Sequence, residues 1–336
     1  MKNNTARSSG VPDLPCALTD NSIELPVLDI THPLFKASID ENVYRISCAN
    51  SLKQINSIKK MPVFLQKLFI KISNVEDSKL TGMRTLLYKL GPGLAKGRRL
   101  SFRDRWAVKQ GTFMGLRIRL RDICTYQAEI LIPMLKESPD RNLCFFNIAG
   151  GPSSDSINTL ILIQEADPEL LKGRKIEIDT FDIDTFGPNF AKRCIDALKM
   201  PGRRFHGLDI TFRAIPYDWS RPEDLSKPML EKAGWIQICS SEGGLFEYGS
   251  DEDILENLNR LYANSADDMR VAGSLIFDKA GVNPGYLGFA EFTGIRISFL
   301  GLSGLARILS QTKWVLENKK EIDTIFTVFT LKKEQL

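Results

Sequence analysis

The sequence predicts an α/β fold in which a parallel-sheet domain, closed by an antiparallel hairpin, follows an all-helical N-terminal region. Three observations predict it. From residue 142 onward, apolar runs of strand length alternate with helical stretches. The chain then closes on two strand-like runs around a polar turn. Between about residues 33 and 135 the apolar spacing is helical, without strand alternation.

Residues 1–25 are polar, rich in Ser, Asn, Gly and Pro, and read as a mobile tail. The span 26–138 reads as a helical cap or lid. Within it, MPVFLQKLFIKI (61–72) is apolar on one face, and 112–138 carries a longer helical pattern in which Pro133 is placed to kink the helix and Pro139 to end it. The span 139–336 reads as the sheet domain. Its strands are 142–150, 175–184, 209–217, 235–241 and 270–277, separated by helices at 155–166, 187–200, 222–233 and 251–265. A helix at 302–312 precedes the hairpin at 314–333. Five βα units followed by a hairpin give a seven-stranded, Rossmann-like sheet, because right-handed crossovers leave few other arrangements. In such a sheet, ligands bind beyond the carboxyl ends of the strands.

The composition bounds the function. The chain has 336 residues, 43% hydrophobic and 26% charged, which suits a globular protein with a full core. Its net charge of +4 marks the whole chain as neither a dedicated nucleic-acid binder nor a binder of acidic partners. Six cysteines form no CxxC pair and only two histidines are present, so a zinc site is not expected. Reduced cysteines in apolar runs fit the cytoplasm. There is no signal-peptide pattern and no stretch of about 18 apolar residues to span a membrane.

The candidate chemistry sits at the strand ends. The first strand runs into FFNIAGGPSSDS (145–156), where Gly150 and Gly151 allow close backbone approach and Ser153 opens a helix N-terminus suited to an anion. A tight turn with no ligand is the plain alternative. The second strand ends in Asp182 and Asp184, whose carboxylates could accept both hydroxyls of a ribose. The third ends in Asp218 and Trp219, an acid for an exocyclic amine beside an indole for stacking. The fourth ends in Ser240, Ser241, Glu242, Gly243 and Gly244, with Glu242 and Tyr248 as candidate bases. A polar loop that caps the next helix is the plain alternative here. His206 precedes the third strand, at the wrong end of the sheet, and reads as surface.

Glycine turn, acid, acid–aromatic pair and polar glycine loop fall in order on successive strand ends. In this the chain resembles the class I S-adenosylmethionine-dependent methyltransferases over about residues 142–333, terminal hairpin included. The resemblance implies S-adenosylmethionine as cofactor. It places Gly150, Gly151 and Ser153 at the methionine part, Asp182 at the ribose with Asp184 as second choice, and Asp218 with Trp219 at the adenine. Asn147 stands where the family usually has an acid, and Ala149 where it has the first glycine; Asn147 can hydrogen-bond the cofactor but brings no charge.

Two further segments bear on the acceptor. A basic stretch with aromatics, 96–110 continuing into GLRIRLRD (115–122), could clamp an anionic substrate or single-stranded nucleic acid, or be a solvated helix face. The segment 281–294, with Tyr286, Phe289 and Phe292, could line an apolar acceptor pocket or pack as an ordinary loop. The resulting expectation is a cytoplasmic methyltransferase of a small organic molecule, anionic or natural-product-like. Nucleic acid is not the expected partner, no membrane is involved, and a homodimer is kept open. The rivals are a nucleic-acid methyltransferase using the basic cap and a non-catalytic Rossmann-like binding protein.

Overall fold

The computed structural model describes residues 13–72, 82–95, 101, 104–105 and 108–334. Its first element is a small hairpin, β1 (Cys16–Leu18) antiparallel to β2 (Glu24–Pro26). This corrects the expectation of a tail for residues 13–25, while 1–12 lie outside the described residues. Strands of three residues flanked by prolines have no period to read, yet Ala17 and Leu25 are buried in the main core.

Helices then follow: α1 (Pro33–Lys36), α2 (Glu41–Lys59), α3 (Val63–Ile72), α4 (Gly82–Leu94) and α5 (Met114–Glu137). Asp40 starts α2 by accepting from the Asn42 and Val43 N–H groups, a side-chain cap. α4 bends where Gly91 adopts φ 67° ahead of Pro92. Pro133 lies within α5, which runs unbroken to Glu137 and ends just before Ser138 and Pro139.

The sheet domain runs β3 (Leu143–Ile148), α6 (Ser154–Ala166), β4 (Lys175–Asp182), α7 (Phe186–Lys199), β5 (Asp209–Pro216), α8 (Ser226–Leu230) and β6 (Ile236–Ser241). It continues through α9 (Leu245–Tyr248), α10 (Asp251–Asn264), β7 (Arg270–Ile276), α11 (Pro284–Thr293), α12 (Gly301–Leu309), β8 (Trp314–Ile322) and β9 (Phe326–Lys333). The seven strands lie in the order β5-β4-β3-β6-β7-β9-β8. β3 to β7 are parallel, and β9 is antiparallel to both β7 and β8. The expected α/β architecture with a terminal hairpin is present.

All of β3 is buried, and its alternation divides the core into two layers. Leu143 and Phe145 pack on the side of α5 and α6, whereas Cys144, Phe146 and Ile148 pack with α10 and α12 on the other. Each such buried aromatic or aliphatic side chain is worth roughly 1.5–3 kcal/mol relative to exposure. The cap joins the first layer, for Val27, Leu28, Phe35, Leu86 and Tyr88 belong to the same cluster as Phe145. Asn158 on α6 ties the two regions further. Its side chain accepts from the Ile30 N–H at 2.8 Å and donates to the Leu28 carbonyl at 3.0 Å.

Candidate active site

A cleft of about 200 Å3 opens over the carboxyl ends of β3, β4 and β6. Of the residues singled out in the sequence, it is lined by Asn147, Ala149, Gly150, Asp182, Asp184, Trp219, Glu242, Gly243, Gly244 and Tyr248. Gly151, Ser153, Asp218 and Ser240 are not on its wall, and each has a physical reason to be elsewhere.

The glycine turn is built on alternate left-handed residues: Ala149 (φ 53°), Gly151 (φ 49°) and Ser153 (φ 48°). Ala149 thus holds the conformation for which a glycine is usual, at a cost of roughly 1–2 kcal/mol. Gly151 is pinched between backbones. A Cβ there would meet the Gly82 Cα at 3.0 Å, and a Cβ on Gly187 would meet the Gly151 Cα at 2.7 Å. It is therefore a packing glycine shared by the cap, the turn and α7. Gly150 does face the cleft, and a side chain on it would run into Asn147. Ser153 is fully buried and hydrogen-bonded to Thr180, so it cannot face a ligand. Ser240 is buried on β6, opposite Asn147 in the sheet register.

Asp182 locks the turn from the neighbouring strand. One carboxylate oxygen accepts from the Gly151 N–H at 2.7 Å and the other from the Asp184 N–H at 2.8 Å. Burial raises its pKa, against the lowering effect of these backbone donors. A carboxylate has about four acceptor positions, so two remain for a ligand. Asp184 accepts from the Phe186 and Gly187 N–H groups at the start of α7, the work of a helix cap. Asp218 folds back on its own loop, accepting from the Ser220 N–H at 3.0 Å and the Ser220 hydroxyl at 2.9 Å. Trp219 is half-buried on the cleft wall, its carbonyl fixed by Asn257 Nδ2 at 2.7 Å.

Glu242 is not placed as a proton acceptor. It is buried between two cations, accepting from Lys89 Nζ at 2.5 Å and from Arg119 Nε at 2.9 Å. Arg119 donates also to Glu247 at 2.5 Å, and Glu247 accepts from the Ser274 hydroxyl at 3.0 Å. Burial alone would lower the Arg119 pKa, but Glu247 and Glu242 hold it above its usual value. Burial raises the Glu247 pKa, with Arg119 opposing. This alternating chain of charges spans α4, α5 and the β6–α9 loop, and so closes the cap onto the sheet. Tyr248, at the end of α9, keeps its place on the cleft.

Sequence reading missed Lys89, Arg119, Thr85 and Asp155, all on the cleft wall. Asp155 had a readable signal, an acid in the first turn of the helix after the glycine turn. Arg119 was marked only as part of the basic stretch 115–122, and Thr85 and Lys89 had no signal, because their place depends on how α4 and α5 dock. Two of the three arginines of the basic stretch 115–122 turn inward. Arg117 is buried and donates to the Ser38 and Tyr88 carbonyls, Arg119 belongs to the cleft, and Arg121 pairs with Glu41 and Asp122. Most of 96–110, with Phe102 and Trp106, lies outside the described residues. Tyr286, Phe289 and Phe292 lie on α11, packed against α2, and none lines the cleft. His206 is exposed.

Among the described residues, no group of three or more His, Cys, Asp or Glu side chains is placed to hold a metal, and no helix is long and apolar enough to cross a membrane. No protein-family model matches the sequence, and no curated protein matches it. Solved structures do. A structure described as a possible exported protein from Bordetella parapertussis is 15% identical, with 89% of this chain aligned to 99% of that one at a TM-score of 0.53. Magnesium protoporphyrin IX methyltransferase (ChlM) from Synechocystis PCC 6803, with bound SAH, is 13% identical over 75% of this chain and 94% of that one, at a TM-score of 0.42. LepI in complex with SAM is 11% identical over 59% of this chain at a TM-score of 0.39, and the match spans only 44% of LepI. With its last strand inserted antiparallel between β7 and β8, and a cleft over the carboxyl ends of the parallel strands, the chain has a seven-stranded Rossmann-like α/β fold with a terminal antiparallel hairpin.

Proposed function

We propose that this protein binds S-adenosylmethionine in the cleft and transfers its methyl group to a small organic acceptor by in-line displacement. The observation that carries the reading is convergence. Asn147, Gly150, Asp182 and Trp219 come from three strand ends and face one cleft, in the order that the cofactor's methionine, ribose and adenine parts require. The polar wall fits such a guest, because Asn147 Oδ1 is a buried acceptor without a partner and the Asp155 carboxylate lies beside it on the wall. Leaving the Asn147 acceptor unmade costs roughly 1–3 kcal/mol, which a donor on a ligand would recover.

When bound, the cofactor supplies an electrophilic methyl on a sulfonium. The chain's own residues then do three things. Asp182 uses its remaining acceptor positions for the ribose hydroxyls while holding the turn through Gly151. Trp219 offers the base a flat apolar face. Thr85 and Lys89 of α4 roof the cleft, excluding water and aligning the acceptor, and alignment supplies much of the rate of such a displacement. Glu242 acts as the bridge that holds this roof in place.

The small-molecule acceptor is favoured over nucleic acid because Arg117 and Arg119 are buried and engaged within the fold, and Arg121 is paired with Glu41 and Asp122. Calorimetry with S-adenosylhomocysteine tests the cofactor. Micromolar binding with one site per chain is expected, and its absence overturns the reading. Release of S-adenosylhomocysteine in the presence of a panel of small phenols, amines and carboxylates separates an enzyme from a binding protein.

A further inference from the structure

The missing charge at Asn147 is made good from the adjoining helix. We propose that Asp155 is the counter-ion of the cofactor's α-ammonium group, with Asn147 Oδ1 as the second acceptor; this rests on the proposed cofactor.

Asp155 lies in the first turn of α6, 2% exposed, on the wall of the cleft. Its Oδ1 accepts from Asn147 Nδ2 at 2.5 Å, which fixes the carboxylate and turns the Asn147 carbonyl oxygen away from it. Asn147 Nδ2 donates also to Ser156 Oγ at 3.1 Å, so the amide orientation is set twice. What remains are two buried acceptors: Asn147 Oδ1, which has no donor, and the Asp155 carboxylate, which beyond Asn147 meets only the Ser240 hydroxyl. Two acceptor side chains on one cleft wall, one of them anionic, select a compact cation with several N–H donors, which an α-ammonium is and a ribose or adenine is not. The glycine at position 150 is part of the same device, since any side chain there would displace Asn147.

The surroundings match this assignment. The groups that act on Asp155 from the packed elements are Glu242 and Ser240 of the β6 end, Lys89 of α4, Asn147 of β3, Cys124 of α5 and Cys239 of β6. Burial keeps both thiols neutral at physiological pH. Glu242 is already engaged by Lys89 and Arg119. Asp155 therefore keeps acceptor capacity at the β3 end of the cleft, where Ser240 is its only further side-chain donor among the described residues.

Two probes decide the matter by calorimetry. S-adenosylhomocysteine carries the ammonium, whereas 5′-methylthioadenosine lacks the whole amino-acid part. Asp155→Asn should lower affinity for the first about 10- to 100-fold, the usual scale for a charge-assisted hydrogen bond, and leave the second unchanged. Equal losses for both probes, or no loss for either, would overturn the assignment. Wild-type protein that binds neither probe would instead overturn the cofactor itself. If Asp155→Asn does not fold, the wild type still decides. Its affinity for S-adenosylhomocysteine, but not for methylthioadenosine, should fall as the pH drops through the raised pKa of Asp155, and parallel curves for the two probes would sink the proposal.

Discussion

Arg119 reaches from the centre of α5 to Glu242 at the end of β6, Nε to Oε1, across 2.9 Å, with both side chains almost wholly buried. The contact joins cap to sheet at the rim of the cleft. Breaking one partner of a buried pair leaves the others uncompensated, at about 3–5 kcal/mol. Glu242→Gln should therefore lower the free energy of unfolding by about 3 kcal/mol, as read from urea denaturation midpoints. The same variant should retain the shape of the pH–rate profile, because a carboxylate held by two cations is not the base. A profile that loses its acidic limb would restore Glu242 to that role.

The glycine turn makes a prediction of opposite sign at two adjacent positions. Ala149 sits at φ 53°, so Ala149→Gly relieves left-handed strain and gives back part of it as backbone entropy. A net gain of about 0.5–1 kcal/mol in stability is expected. Gly150→Ala forces a methyl into the Asn147 side chain and should cost about 1–3 kcal/mol. It should also weaken S-adenosylhomocysteine binding. Thermal unfolding of the two variants checks both signs, and a destabilised Ala149→Gly protein would show that the turn is not strained.

The fold was legible because its signals are local. Buried parallel strands such as Leu143–Ile148 are short continuous apolar runs, and the helices between them keep a clean period. The strand-end positions followed from topology, and so Asp182 and Trp219 could be named before any coordinates. Asp218 could not be excluded, since only the loop's curl onto Ser220 turns it from the cleft. Ser153 looked like an exposed helix start and is instead sealed against Thr180. The buried pairing of Lys89 and Arg119 with Glu242 was invisible for a deeper reason. A buried charge is set by partners far along the chain, here 153 and 123 residues away, and no periodicity encodes that. The hairpin at 16–26 escaped because three-residue strands carry no pattern.

Trp219 and Asp218 are neighbours in sequence with different reach. Trp219 lines the cleft, and Asp218 is committed to Ser220. Trp219→Ala should weaken S-adenosylhomocysteine by about 1–3 kcal/mol, the scale of base stacking on an aromatic. Asp218→Ala should weaken it less, acting only through the shape of the loop. Calorimetry on the pair ranks them, and a larger loss for Asp218→Ala would move the adenine contact from the indole to the carboxylate.

The last prediction concerns acid. Burial raises the pKa of Asp155, with Glu242 adding to the rise. Between its ordinary value of 3.8 and the raised folded value, the native protein therefore holds more of the proton than the unfolded chain does. Stability contributed by this group falls as the pH rises through that window and is flat above it, the reverse of a salt-bridged acid. Asp155→Asn cannot titrate there. The unfolding free energy of wild type minus that of the variant should decrease from pH 4 upward and then level off, as measured by urea unfolding at each pH. A bound ammonium needs the charged carboxylate, so ligand reverses the slope. The rise in Tm that S-adenosylhomocysteine gives the wild type should grow with pH over the same window, while that of Asp155→Asn stays constant. A difference between the two proteins that rises with pH in the absence of ligand would mean that Asp155 has a cation inside the fold already.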